Sequence, residues 1–105
     1  MTFHVYILRC SDGSYYVGHT DSLEARIASH QQGEIEGYTQ TRRPVRLVFA
    51  AELPTREDAL SRERQIKGWS RAKKEALIKG NWSRIQRLSR SLRAAGPSAG
   101  SGPAP

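Results

Sequence analysis

Two short runs rich in β-branched and aromatic residues open the chain. Residues 3–9, Phe-His-Val-Tyr-Ile-Leu-Arg, and residues 14–19, Ser-Tyr-Tyr-Val-Gly-His, flank Cys10-Ser11-Asp12-Gly13. Strand formers on either side of an Asp-Gly turn signal predict an antiparallel hairpin. The pattern allows two loop lengths. A two-residue Asp12-Gly13 loop pairs Ser11 with Ser14 and puts Tyr15 and Val17 on the face of Tyr6. A three-residue Ser11-Asp12-Gly13 loop pairs Cys10 with Ser14 and puts Leu8, Tyr16 and Gly18 on that face. The longer loop is preferred, because Gly13 then stands where a left-handed residue closes the bulge.

Beyond residue 20 the period lengthens from two to between three and four. Asp21 reads as an N-cap with Glu24 as its capping-box acid, opening a helix over residues 22–32 that Gly33 stops. Leu23, Ile27 and His30 share one face by i, i+4, i+7 spacing, and Arg26 lies on its edge. Residues 33–44 form a loop punctuated by Gly33, Gly37 and Pro44, with Arg42 and Arg43 within reach of phosphates. The continuous apolar run over residues 45–53 predicts a third strand covered on both faces. Thr55 caps a second helix whose apolar positions are Ala59, Leu60 and Ile66. Ser70 caps a third, with Ala72, Ala76 and Leu77 facing inward and Gly80 ending it. A fourth helical pattern over residues 81–93 has Trp82, Ile85, Leu88 and Leu92 apolar, while Arg84, Arg87, Arg90 and Arg93 recur every three residues. From Ala94 onward the chain contains only Ala, Gly, Pro and Ser, which predicts a disordered tail. The segments describe an α+β fold with a main domain over residues 1–82, a basic helix over 83–93 and a tail over 94–105.

Composition narrows the partners. The 105 residues carry a formal net charge of +7, and 37% are hydrophobic, enough for one modest core. Residues 1–80 hold thirteen Lys/Arg against ten Asp/Glu, whereas residues 81–105 hold four Arg and no acid. That balance favours a polyanion. Cys10 is the only cysteine, so an intramolecular disulfide is excluded and a reducing cytoplasm is the expected location. Cys10 itself reads as a small buried hydrophobe. There is no zinc-type Cys/His spacing, no signal-peptide pattern and no run long enough to span a bilayer.

Two features point to chemistry. Glu63 falls on or beside the apolar stripe of its helix, four after Ala59 and three before Ile66. A carboxylate there loses solvation and needs a cation or a metal. Spacing alone allows it equally well to reach water at the stripe's edge, paired with Lys67. Arg26 and His30 lie on the sheet-facing side of the first helix, beside a hairpin bearing Tyr6, Tyr15 and Tyr16. Tyrosines are common packing residues in strands, and a histidine on such a face is more often structural than catalytic. Two cationic-capable groups beside those phenols tilt the balance modestly toward an anion site.

Val5-Tyr6-Ile7 followed about ten residues later by Tyr16-Val17-Gly18 resembles the two signature strands of the GIY-YIG nucleases. Arg26 and His30 follow at the family's helix spacing, and Glu63 stands on a later helix as the family's metal-binding acid does. Gly37-Tyr-Thr, Arg42-Arg-Pro-Val, Arg62-Glu-Arg-Gln-Ile-Lys-Gly-Trp and Lys73-Lys-Glu-Ala-Leu-Ile resemble the small single-domain bacterial subgroup. The resemblance covers roughly residues 3–82. His4 replaces the first glycine of the name, Val17 replaces the isoleucine, and Asn81 matches the family's second polar residue loosely.

The resemblance implies a three-stranded antiparallel sheet flanked by α-helices, and Mg²⁺- or Mn²⁺-dependent hydrolysis of phosphodiesters in nucleic acid, DNA before RNA, in repair or processing. It gives Glu63 the metal, with Asn81 as a secondary ligand, and gives Arg26 the scissile phosphate. The base role is open among Tyr6, Tyr16 and His30. Gly18 permits close backbone approach, and Arg42, Arg43, Lys67, Arg84 and Arg87 are candidate phosphate contacts. The competing expectations are a nucleic-acid-binding module without catalysis, or a subunit docking on a protein partner through its C-terminal helix.

Overall fold

A computed structural model describes residues 2–95, with side chains described as far as residue 88. The chain divides into two compact units, Met1–Lys67 and Gly68–Pro105. The first contains β1 (Phe3–Arg9), β2 (Tyr15–Thr20), α1 (Leu23–Gln31), β3 (Arg46–Leu53) and α2 (Arg56–Lys67). The second contains α3 (Arg71–Ile78) and α4 (Trp82–Ala95).

The strands form one antiparallel sheet in the order β2-β1-β3, the three-stranded α+β arrangement predicted. The hairpin takes the three-residue loop. Cys10 N donates to Ser14 O at 2.8 Å, Gly13 N donates to Cys10 O at 2.9 Å, and Gly13 has φ +84°. Tyr6 therefore pairs with Gly18 and Leu8 with Tyr16. Because cross-strand partners point the same way, Tyr6, Leu8, Tyr16 and Gly18 share one face, and Val5, Ile7, Val17 and His19 share the other.

Each face has its own helix. Tyr6, Leu8, Cys10 and Val45 cluster on the first, with Leu23 and Ile27 of α1 and the Tyr16 ring against them. Cys10 is thus the buried hydrophobe expected. On the second face α2 lies against β1 and β2, burying Ala59 and Ile66.

The structure corrects two sequence expectations. The doubly covered strand is β1, whose Val5, Tyr6, Ile7 and Leu8 are all buried, whereas no residue of β3 is. The apolar run over residues 45–53 belongs to an edge strand with a register shift opposite Ile7 and Leu8. Its continuity comes from small and branched residues that suit a half-covered surface, so hydrophobicity alone overstated its burial. The capping box at Asp21 is also absent. Ser22 occupies the N-cap of α1 without a side-chain cap, and Asp21 instead faces Arg56 at 3.5 Å. Elsewhere the punctuation holds. Thr55 Oγ1 accepts from Asp58 N at 3.0 Å, Ser70 Oγ accepts from Lys73 N at 3.2 Å, and Gly33 and Gly80 adopt φ +75° and +71°.

In the second unit α3 and α4 pack on each other, with Ala76, Leu77 and Ile85 buried and Trp82 exposed. The fourth helix runs two residues further than predicted, through Ala95. The predicted disorder beyond it lies outside the described residues. Among the described residues no helix is long and apolar enough to cross a membrane.

Candidate active site

The hairpin register places a bare position next to a phenol. A Cβ on Gly18 would stand 2.5 Å from the Tyr6 hydroxyl and 2.6 Å from Tyr6 Cζ. The Tyr6 ring therefore lies across Gly18, toward the edge formed by β2. Gly18 is not among the glycines with positive φ. Glycine is needed here for space rather than for backbone conformation.

At that edge the Tyr6 hydroxyl shares a 2.8 Å hydrogen bond with His30 Nε2, and His30 Nδ1 shares another of 2.8 Å with Thr39 Oγ1. All three residues are almost wholly buried, at 2%, 1% and 2% exposure. They form a continuous chain from β1 through α1 to the loop over residues 33–44. The Tyr16 ring closes the group. Its centroid lies 5.1 Å from that of His30 and 6.4 Å from that of Tyr6. The Tyr16 hydroxyl makes no hydrogen bond among the described residues.

Burial pushes the Tyr6 phenol well above its ordinary value. Tyr16 and Glu63 push the same way, and the Arg26 guanidinium opposes them. Burial, followed by Arg26, lowers His30, so its imidazole is neutral near pH 7. Arg26 is exposed and has no acidic partner among the described residues. An unpaired guanidinium beside a phenol and a neutral imidazole is a ready receptor for an anion.

Glu63 projects from α2 on the second face, with its side chain 12% exposed. His19 Nδ1 lies 2.6 Å from Oε1, and Lys67 Nζ donates to Oε2 at 2.8 Å. Burial alone would raise this carboxyl. The hydrogen bonds from Lys67 and His19 outweigh it and hold the group below its usual range, ionised at neutral pH. The described residues hold no cluster of three or more His, Cys, Asp or Glu suited to a metal. A single ionised carboxylate that leaves most positions to water and phosphate fits a hydrated Mg²⁺ or Mn²⁺ and not a structural zinc.

The sequence-predicted site residues thus divide. Tyr6, Tyr16, Gly18, Arg26, His30 and Glu63 all lie within the first unit, and Tyr6 feels the charges of both Arg26 and Glu63. Lys67 pairs with Glu63. Arg42 is engaged inside the protein. It donates to Asp12 Oδ2 at 3.1 Å and to Tyr38 O at 2.9 Å, and its guanidinium carbon sits 3.9 Å from the Tyr38 ring centroid. Arg43 is exposed and donates to Gln40 O at 3.2 Å, with its guanidinium passing over Gly33. Asn81, Arg84 and Arg87 belong to the second unit. Asn81 Oδ1 accepts from Arg84 N at 3.1 Å and caps α4, and Arg84 and Arg87 are exposed.

Sequence reasoning missed Thr39 and His19. Thr39 sits in a loop with no periodicity to mark it. The alternation of β2 put His19 opposite Tyr6, but nothing in the pattern paired it with Glu63.

Comparison with known proteins identifies the family of the fold. The profile of the family described as the GIY-YIG catalytic domain matches residues 2–76. A UPF0213 protein of Staphylococcus aureus strain Mu3 is 47% identical over 75 residues, covering 71% of this chain and 92% of that protein. The solution structure of the UPF0213 protein BH0048 from Bacillus halodurans superposes with a TM-score of 0.50 at 43% identity, over 75% of this chain and 84% of that one. The solution structure of the protein EF2693 from E. faecalis gives 0.54 at 32% identity, over 76% and 85%.

Proposed function

The chain belongs to the GIY-YIG family of catalytic domains, a nuclease family, and from that premise we propose that it is a divalent-metal-dependent endonuclease hydrolysing phosphodiester bonds in DNA. One observation carries the reading. The Tyr6 phenol, laid across Gly18, is buried against neutral His30 and lies within the fields of both Arg26 and Glu63. A phenol bonded to an imidazole, with a guanidinium and a carboxylate both near enough to act on its charge, supplies the groups that a scissile phosphate and its attacking water require.

Hydrolysis needs a water stripped of its proton and a phosphate relieved of its growing charge. Glu63 is the residue to hold Mg²⁺ or Mn²⁺. The bound ion supplies charge neutralisation at the phosphate and acidifies water. Arg26 pairs its planar fork with the phosphate oxygens. Tyr16 donates its unengaged hydroxyl to the same group. Because burial disfavours a resting tyrosinate, Tyr6 accepts the water's proton only as its own passes to His30 Nε2. Thr39, by accepting from Nδ1–H, keeps that ring nitrogen free. The exposed Arg43 adds a contact to the flanking backbone.

A second reading, a binding module without chemistry, draws on the fact that both Glu63 oxygens already have partners. A cleavage panel separates the two. Plasmid, single-stranded and branched DNA, and RNA, are incubated with the wild type or Glu63→Ala, in Mg²⁺, Mn²⁺ or chelator. The expected result is cutting by the wild type only with metal, and none by Glu63→Ala although it still binds. Binding without cutting by the wild type in every arm would leave only the module.

A further inference from the structure

The second face of the hairpin holds an unusual pair. Along α2 the row 59, 63, 66 faces β1 and β2. Ala59 and Ile66 in that row are buried to 0% and 1% exposure, yet the position between them is a carboxylate. Across from it, on β2, stands an imidazole where an apolar residue would continue Val17. The two polar groups come from different elements and meet at 2.6 Å, with side chains 21% and 12% exposed. They are partly desolvated, partly reachable by solvent, and held by a strand and a helix.

From this juxtaposition we infer that His19 and Glu63 together form a nitrogen–oxygen chelate for the divalent ion, which makes the site prefer Mn²⁺ over Mg²⁺. The inference rests on the proposed metal role of Glu63 and adds a ligand to it. Two ligands on an octahedral ion with bonds of about 2.1 Å stand roughly 3 Å apart. The pair needs to open by only a few tenths of an ångström from the separation at which the two atoms now share a proton. The imidazole presents Nδ1 when its ring proton is on Nε2. Lys67, half exposed at 51%, is the flexible partner that yields its place on Oε2. An all-oxygen site of one carboxylate and waters discriminates weakly between the two ions. An imidazole nitrogen suits transition metals better than Mg²⁺, which favours oxygen donors.

The test is binding of Mn²⁺ to the full-length chain at mildly alkaline pH, followed by the electron paramagnetic resonance of free Mn²⁺ and by competition with Mg²⁺. Wild type, His19→Ala, His19→Gln and Glu63→Gln are compared, each checked for native circular dichroism. Electron spin-echo envelope modulation reads nitrogen bound to the ion. Wild type should show imidazole nitrogen coupling. Both His19 variants should lose it and bind Mn²⁺ at least ~10-fold more weakly, with a much smaller change for Mg²⁺. Nitrogen coupling that persists without His19, or equal loss of both ions, overturns the chelate and leaves His19 a residue that merely positions Glu63. Unchanged Mn²⁺ binding by Glu63→Gln, or none by the wild type, overturns the underlying metal site as well. The first pair of outcomes leaves that site standing, so the two failures are distinguishable.

Discussion

The substitution Gly18→Ala tests whether the site depends on a missing side chain. The added Cβ meets Tyr6 at 2.5 Å from the hydroxyl and 2.6 Å from Cζ, and Tyr16 Cε2 at 3.1 Å. The Tyr6 ring is 2% exposed and tied to His30, so it has no free direction of retreat. Overpacking of this kind costs about 1–3 kcal/mol. A shifted phenol also leaves the buried His30 nitrogen unsatisfied, at about 1–3 kcal/mol. The two effects arise from one displacement and overlap, so a loss of about 2–4 kcal/mol is expected. At about 4–8 °C per kcal/mol for a domain near this size, melting should fall by roughly 8–32 °C. Urea unfolding gives the free energy directly, and the decisive arm repeats it in a Tyr6→Leu background. Leucine has no atoms where Cζ and the hydroxyl lay, so the same methyl should then cost under ~0.5 kcal/mol. A Gly18→Ala protein within ~0.5 kcal/mol of wild type, or an equal loss in both backgrounds, would refute the packing argument.

Arg26→Ala should slow cleavage at least ~10²-fold, as for removal of a principal electrostatic stabiliser, with little change in the urea midpoint because Arg26 is exposed. Comparable single-turnover rates would remove Arg26 from the reaction. Thr39→Val keeps the volume and deletes the partner of His30 Nδ1. It should cost about 1–3 kcal/mol in urea unfolding and lower the cleavage rate, and a neutral result would make the buried chain irrelevant. His30 also sets a pH dependence. Its folded-state value lies below the ordinary 6.5, so the unfolded chain binds a proton that the folded chain refuses. Stability is then complete above that value and declines as pH falls through it toward the folded-state value. Urea midpoints measured downward from neutral pH should show this decline, and a His30→Gln protein should show less of it. Equal slopes in the two proteins would contradict the assignment.

Much of the site was readable because its residues punctuate regular structure. Gly13, directly after Ser11-Asp12 and three places after Cys10, marked the three-residue hairpin loop, and that register put Tyr16 and Gly18 beside Tyr6. Helical spacing carried His30 to the same face and set Glu63 in an otherwise apolar row. Thr39 and His19 were not readable, because their partners lie nine and 44 residues away. Only tertiary packing brings such pairs together. Arg42 shows the opposite failure. An arginine in a glycine-flanked loop reads as a phosphate contact by charge, yet Asp12, 30 residues away, claims it together with the Tyr38 ring. The third strand misled for a related reason. Hydrophobicity reports what a segment tolerates, while its place at the sheet's edge depends on which strand β1 pairs with on each side.

The grip of Arg42 on the hairpin loop bears on how the protein can be engineered. Hairpin tips are usually the first choice for inserting an epitope or a fluorescent reporter. Here Asp12 at the tip holds Arg42, and Ser11 N donates to Arg42 O at 2.9 Å. Three residues before Arg42 is Thr39, the anchor of His30. A graft between Ser11 and Gly13 would unfasten that clasp, so a label placed at the tip should loosen the buried Tyr6–His30–Thr39 chain.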